Sequence, residues 1–128
     1  MKYLWDTNIA IYYLQQQFSP KAEKFIDDIL KETQPALSVI TEIELLSWKT
    51  EVEKDIEVVR NFLADSSIID LDQAIKIKTA EYRKTIGIKL PDAIIAATAF
   101  YSGLTLLTRN HRDFAKCEGL EIINPFSL

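Results

Sequence analysis

Cysteine and histidine each occur once, as Cys117 and His111. A single cysteine forms no internal disulfide, and the pair falls short of the four ligands a structural zinc site needs. A Ser-His-Asp triad has only His111 to draw on. Glycine (3 residues) and proline (4 residues) are scarce, and they punctuate apolar segments instead of forming linkers or low-complexity tracts. Positive charge is short as well. Lys and Arg number 15 against 19 Asp and Glu, a formal net charge of -4, which argues against nucleic-acid binding by bulk positive charge. It leaves open an enzyme that acts on nucleic acid through a bound cation, because carboxylate ligands themselves make a chain acidic. The longest uncharged run, Ala93 to Thr108, is interrupted by Ser102-Gly103. It is shorter than the roughly 20 apolar residues of a membrane span. Met1 to Trp5 leads straight into Asp6 with no basic leader and apolar stretch, so no signal peptide is expected and the expected location is cytoplasmic. What remains for chemistry is carboxylates, hydroxyls, amides, Lys and Arg.

The 128 residues suit a single domain spanning 1–128, and 48% hydrophobic with 27% charged residues is the composition of a folded chain. Short apolar runs alternate with longer amphipathic ones. Tyr3-Leu4-Trp5 reads as a strand ending at Asp6, with Asp6-Thr7-Asn8 offering caps for a helix over Ile9–Gln16. Ser19-Pro20 opens a helix whose apolar positions are Ala22, Phe25, Ile26, Ile29 and Leu30. Ala36–Val39 reads as a strand, Ile40–Trp48 as a helix, and Glu51–Ala64 as a helix with Val52, Ile56, Val59 and Leu63 on its stripe. Ser67–Ile69 is a third strand. Asp72 caps a helix with Ile75, Thr79, Tyr82 and Ile86 on one face. Leu90-Pro91-Asp92 opens a helix apolar all round, expected at the domain centre and closed by Ser102-Gly103. Leu104–Leu107 is a strand, Arg112–Ala115 a turn of helix and Glu121–Ile123 a last strand. Continuous apolar strands alternating with helices predict an α/β fold, a central parallel β-sheet flanked by helices in three layers. Ligands of such sheets bind outside the carboxyl ends of the strands.

Acids fall at those ends. Asp6 follows the first strand, Glu42 and Glu44 the second, Asp92 opens the buried helix before the fourth, and Asn110 and Asp113 follow it. If the first, second and fourth strands are neighbours, these acids share one rim, where they repel unless a cation neutralises them. Oxygen ligands without His or Cys suit Mg²⁺ or Mn²⁺, and a hard cation at such a rim points to phosphate chemistry. Taken singly, Asp6 suits an ordinary helix cap and Asp92 a dipole-favoured helix start. Glu42 and Glu44 are turned about 200° from each other on a helix, so they do not share a face, and periodicity does not choose between them.

Four segments together resemble one family. Trp5-Asp6-Thr7-Asn8 looks like the opening D-T-N of PIN-domain nucleases, and Ser38-Val39-Ile40-Thr41-Glu42-Ile43-Glu44-Leu45 is similar to their S-x-x-T-x-x-E-L segment. Leu90-Pro91-Asp92 with the apolar run to Ala99 resembles their acid-led helix. Leu106 to Phe114 resembles their T-x-N/D-x-x-D/E-F loop. The match runs from Tyr3 to about Pro125, and its layout resembles the VapC toxin branch of type II toxin–antitoxin systems. The resemblance implies a Mg²⁺- or Mn²⁺-dependent endoribonuclease that leaves a 5′-phosphate and a 3′-hydroxyl. It implies a homodimer and a small antitoxin partner that blocks the site. It gives Asp6, Glu44 and Asp92 the three core acidic positions, selecting Glu44 over Glu42. Many members carry an acid at the place of Asn110; here Asp113 is the acidic candidate for the fourth position. Thr7 and Thr108 look like hydroxyls lining the same site. Arg83, Lys84, Lys89, Arg109 and Arg112 flank it in sequence and are candidates for RNA phosphate contacts. The alternative reading is a PIN-like module that binds RNA or protein without cleaving, and Asn110 in place of an acid is its main support.

Overall fold

A computed structural model describes residues 2–128. Five short strands, β1 (Tyr3–Trp5), β2 (Ala36–Ser38), β3 (Ser67–Ile69), β4 (Thr105–Leu107) and β5 (Ile122–Ile123), form one parallel sheet in the order β3-β2-β1-β4-β5. Register pairs Leu4 with Ala36 on one side and with Leu106 on the other. The carboxyl ends of β1, β2 and β4 therefore open on the same rim. The helices are α1 (Thr7–Leu14), α2 (Pro20–Leu30), α3 (Val39–Leu46), α4 (Glu53–Ala64), α5 (Gln73–Ile86), α6 (Leu90–Ser102) and α7 (His111–Phe114), followed by a 3₁₀ turn at Pro125–Ser127.

Alternation along the strands divides the core in two. Leu4, Ala36 and Leu106 face a layer that includes Ile75 and Tyr82 of α5 and Ala93, Ala96 and Ala97 of α6. Trp5, Leu37 and Leu107 face Ile9, Ile26, Ile29, Leu45, Val59 and Phe62 on the opposite side. This is the three-layer arrangement expected. Helix α6 is buried continuously from Ala93 to Ala99. Its alanines let α5 and the sheet approach closely, and its buried Thr98 hydroxyl donates to the Ile94 carbonyl at 2.7 Å.

Local chemistry sets the element ends, and several differ from expectation by one or two residues. Helix α1 starts at Thr7, not Ile9, because Asp6 itself is the cap and accepts from the Thr7 N–H at 2.8 Å. Strand β2 stops at Ser38, not Val39, because the Ser38 hydroxyl accepts from the Ile40 N–H at 3.1 Å and starts α3. Helix α4 starts at Glu53, leaving Val52 outside it and 55% exposed, while Phe62, which is not on the expected stripe, is buried with Val59. Ser19, Asp72 and Gly103 cap as expected, Gly103 in the left-handed conformation at φ 66°.

Candidate active site

Asp6 is the pivot of the rim. Its backbone N–H donates to the Leu107 carbonyl at 2.9 Å, which locks the end of β1 to β4. Its side chain is 5% exposed. One carboxylate oxygen accepts from the Thr7 N–H at 2.8 Å and the other from the Thr108 hydroxyl at 2.7 Å. Burial pushes its pKa up to about 6 against the pull of the Thr108 bond; Asp92 raises it further, the Thr7 bond lowers it, and Glu44 adds a smaller upward push. Thr108 is fully buried, and its oxygen accepts from the Asn110 N–H at 2.9 Å. A chain of hydrogen bonds thus runs from the β4–α7 loop through Thr108 to Asp6.

Asp92 is the third residue of α6. Burial raises its pKa first, then repulsion from Glu44 and Asp113, with Lys89 opposing. Glu44 lies on α3, and its Oε1 accepts from the Thr7 hydroxyl at 2.7 Å. With that hydrogen committed, the fully buried Thr41 hydroxyl is the donor in the 2.9 Å Thr41–Thr7 contact. The carboxylates that press on Asp6 and Asp92 include Glu44 and do not include Glu42. The structure therefore brings Glu44, and not Glu42, into the cluster.

Asp113 lies on α7, and its carboxylate accepts from the Asn110 side-chain amide at 3.0 Å. Asn110 is the N-cap of α7, so its amide orients Asp113 from one residue before the helix. Asp92, Asp113, Lys89 and Lys116 line a shared cleft of about 180 Å³. The cluster thus assembles as Asp6, Glu44, Asp92 and Asp113, with Thr7, Thr108 and Asn110 as hydrogen-bond partners.

None of the four acids has a Lys or Arg within 4.0 Å among the described residues, so their mutual repulsion is relieved by no ion pair. An all-oxygen donor set whose negative charge no direct ion pair neutralises fits a hard divalent cation. Among the described residues no three of these groups stand at ligand spacing around one point.

Two polar groups near the site, Thr41 and Asn8, stand in the family-like motifs but are not among the site residues expected from them. Thr41 lies inside the segment that leads to Glu44, yet nothing local marks its hydroxyl as wedged between two helices. Asn8 Oδ1 is buried with no hydrogen-bond partner among the described residues. Of the basic candidates, Arg83 spends one N–H on the Ile88 carbonyl at 3.2 Å, bracing the turn between α5 and α6.

A PIN domain family model matches residues 3–120. The chain is 27% identical over 128 residues to the tRNA(fMet)-specific endonuclease VapC of Shigella flexneri, covering 94% of this chain and 95% of that one. It is 30% identical over 132 residues to ribonuclease VapC2 of Haemophilus influenzae, covering 97% and 98%. Among solved structures it is similar to DNA-bound VapBC from Salmonella typhimurium, with TM-score 0.84, 25% identity and 98% of each chain covered. It is also similar to a toxin–antitoxin complex from Klebsiella pneumoniae, with TM-score 0.78, 31% identity and 98% of each chain covered.

Proposed function

The chain belongs to the PIN domain family, and we propose that it is a divalent-metal-dependent endoribonuclease, the toxin of a toxin–antitoxin pair. The observation that carries the proposal is a buried Asp6 pressed by Asp92 and Glu44 at the sheet rim with no ion pair on any of them. Relatives covering nearly the whole chain are named as ribonucleases, which supports RNA as the substrate.

Asp6, Glu44 and Asp92 would hold the cation, with Asp113 as the fourth acid, and Mg²⁺ or Mn²⁺ suits their oxygens. When bound, such a cation activates water and offsets charge developing on the phosphate. The chain's own part is positioning. Thr108 and the Thr7 N–H fix both oxygens of Asp6. The Thr41–Thr7 pair holds Glu44, and Asn110 holds Asp113.

The partner proposed is a small antitoxin, since the similar solved structures include VapBC and toxin–antitoxin complexes. A groove of about 190 Å³ is lined by Ile11, Leu14, Leu45, Trp48 and Val59 together with Glu44. An apolar partner segment seated there would cover the site. A homodimer is part of the same proposal. No helix among the described residues is long and apolar enough to cross a membrane.

The test is RNA cleavage with Mg²⁺ or Mn²⁺, with EDTA, and with Asp92→Asn. Activity should vanish in EDTA, return with either metal, and fall by orders of magnitude in the variant. Cleavage that persists in EDTA overturns the metal-dependent reading. The second reading, an RNA- or protein-binding module that does not cleave, is favoured by Asn110, a neutral amide spent as a helix cap at the position where the family resemblance implies an acid. Absence of metal-dependent turnover over the same preparations would select it.

A further inference from the structure

Arg109 follows Thr108 directly, one residue from the hydroxyl that donates to Asp6. Four carboxylates lie at this rim, yet among the described residues its guanidinium is within 4.0 Å of none. It lies instead over aromatic rings. The guanidinium carbon is 4.3 Å from the Phe126 ring centre and 5.4 Å from that of Tyr12. One Nη donates to the Tyr12 hydroxyl at 3.1 Å. Tyr12 and Phe126 meet edge to face at 5.1 Å, and Phe18 backs them at 5.6 Å from Phe126. Arg109 is exposed, while the three rings are half-buried.

A planar guanidinium stacked on rings keeps its edge donors free and pre-oriented. Only one hydrogen bond, to Tyr12, is spent. Stacking also keeps the cation from collapsing onto the carboxylates. Bases stack on guanidinium planes as on aromatic rings, and the exposed outer face of Arg109 offers such a plane. Tyr12 stands six residues along α1 from Asp6, about 9 Å of helix rise. That is too far for the reacting phosphate itself and suits a neighbouring nucleotide. An RNA strand approaching an acidic rim needs a fixed cation beside it, and this one is placed for that.

We infer that Arg109, Tyr12 and Phe126 form a subsite for a nucleotide flanking the scissile bond, the rings holding the guanidinium so that its free edge takes the phosphate and its exposed outer face stacks the base. The inference rests on the ribonuclease reading and adds where the strand is held. Arg109 is a substrate-binding residue here, and the acids do the chemistry. The rings also tie the C-terminal 3₁₀ turn to α1, so the test changes Arg109 and leaves them in place.

Binding of a short labelled single-stranded RNA is measured in Mg²⁺ across a salt series, in the Asp92→Asn protein with and without Arg109→Gln or Arg109→Lys, and melting temperatures are recorded. Arg109→Gln should weaken binding about tenfold with an unchanged melting temperature, and should reduce the salt slope by about 0.7, the value of one phosphate on a single strand. Arg109→Lys should restore the slope and not the full affinity, since it keeps charge without the stacked plane. Unchanged affinity, or a loss without change of slope, overturns the subsite. So does loss of binding to a purified antitoxin with RNA binding intact, which would make the cluster a protein contact. Cleavage by the protein with Asp92 intact reports separately on the ribonuclease reading. Cleavage with RNA binding indifferent to Arg109 defeats the subsite alone. No cleavage and no RNA binding defeats both. No cleavage with Arg109-dependent binding defeats the ribonuclease reading and leaves a strand-binding site.

Discussion

Asp6 shows how one residue serves two masters. As a helix cap it accepts from Thr7, and as a buried acid it carries a charge the interior disfavours. Its pKa of about 6 in the fold compares with an ordinary 3.8. A raised carboxyl supports the fold fully below the ordinary value, and that support is lost as pH rises through the folded value. Each tenfold change in proton affinity between the folded and unfolded chain is worth about 1.36 kcal/mol. Without metal, the contribution of Asp6 to stability should therefore be greatest near pH 4 and fall by up to about 3 kcal/mol by pH 7. Asp6→Asn should flatten that profile. Melts in EDTA from pH 4 to pH 8 check it, and a profile unchanged by the substitution would remove the strain from Asp6. Glu44 and Glu42 give a second prediction at this scale. Glu44→Gln should cut cleavage by orders of magnitude and Glu42→Gln by less than about twofold, since only Glu44 reaches Thr7 and presses on Asp6 and Asp92. Equal losses in a cleavage assay would contradict that arrangement. Asp6 and Asp92 were legible in the sequence because they stand at a strand end and a helix start, whereas Glu44, inside α3, is chosen over Glu42 there only by the family resemblance. The threonines' geometry was not legible, because a hydroxyl bond across thirty-four residues, as between Thr7 and Thr41, leaves no local pattern.

At the scale of elements, capping residues were the most readable feature and stripe assignment the least. Ser19, Asp72 and Gly103 end their helices where their chemistry says they should. The stripe of α4 slipped, because Val52, Ile56, Val59 and Leu63 follow helical spacing as well as a set containing Phe62 does. Tertiary packing decides: Phe62 meets Trp5 at 5.9 Å and Tyr13 at 5.6 Å between ring centres. Phe62→Ala should cost about 3–5 kcal/mol, the usual range for a buried Phe. Val52→Ser should stay within about 0.5 kcal/mol, as for exposed positions. Urea denaturation of both variants measures this directly, and comparable losses would mean Val52 packs in solution as its helical spacing suggests. Helix α6 needed no such arbitration. Uninterrupted apolar residues from Ala93 to Ala99 have no solvent face to offer, so burial on every side was the only consistent placement.

For the molecule as a whole, the parallel order β3-β2-β1-β4-β5 is what turns acids distant in sequence into one cluster. Strands β1 and β4 are neighbours although about a hundred residues separate Asp6 from Thr108, and that adjacency alone brings the two within 2.7 Å. The fold must hold this cluster against its own repulsion, so metal and stability are linked. Asp92 is the clearest probe, because burial, Glu44 and Asp113 all raise its pKa. The folded surroundings penalise its charged form relative to the unfolded chain, so Asp92→Asn should raise the melting temperature in EDTA. A cation that binds only the folded protein stabilises it by RT ln(1 + [L]/Kd), about 2.7 kcal/mol at a hundredfold excess over Kd. The parent should therefore gain several degrees with excess Mg²⁺, and the variant much less. An Asp92 serving only as a helix-start acid predicts the opposite sign. Asn would forfeit a favourable charge–dipole contribution of about 0.3–1 kcal/mol, so the variant would melt slightly lower and Mg²⁺ would move neither protein. Melts of the two proteins, each in EDTA and in Mg²⁺, separate the cases. A variant no more stable than the parent in EDTA, together with a parent indifferent to Mg²⁺, would leave the acids at the rim as four unrelated surface and capping residues.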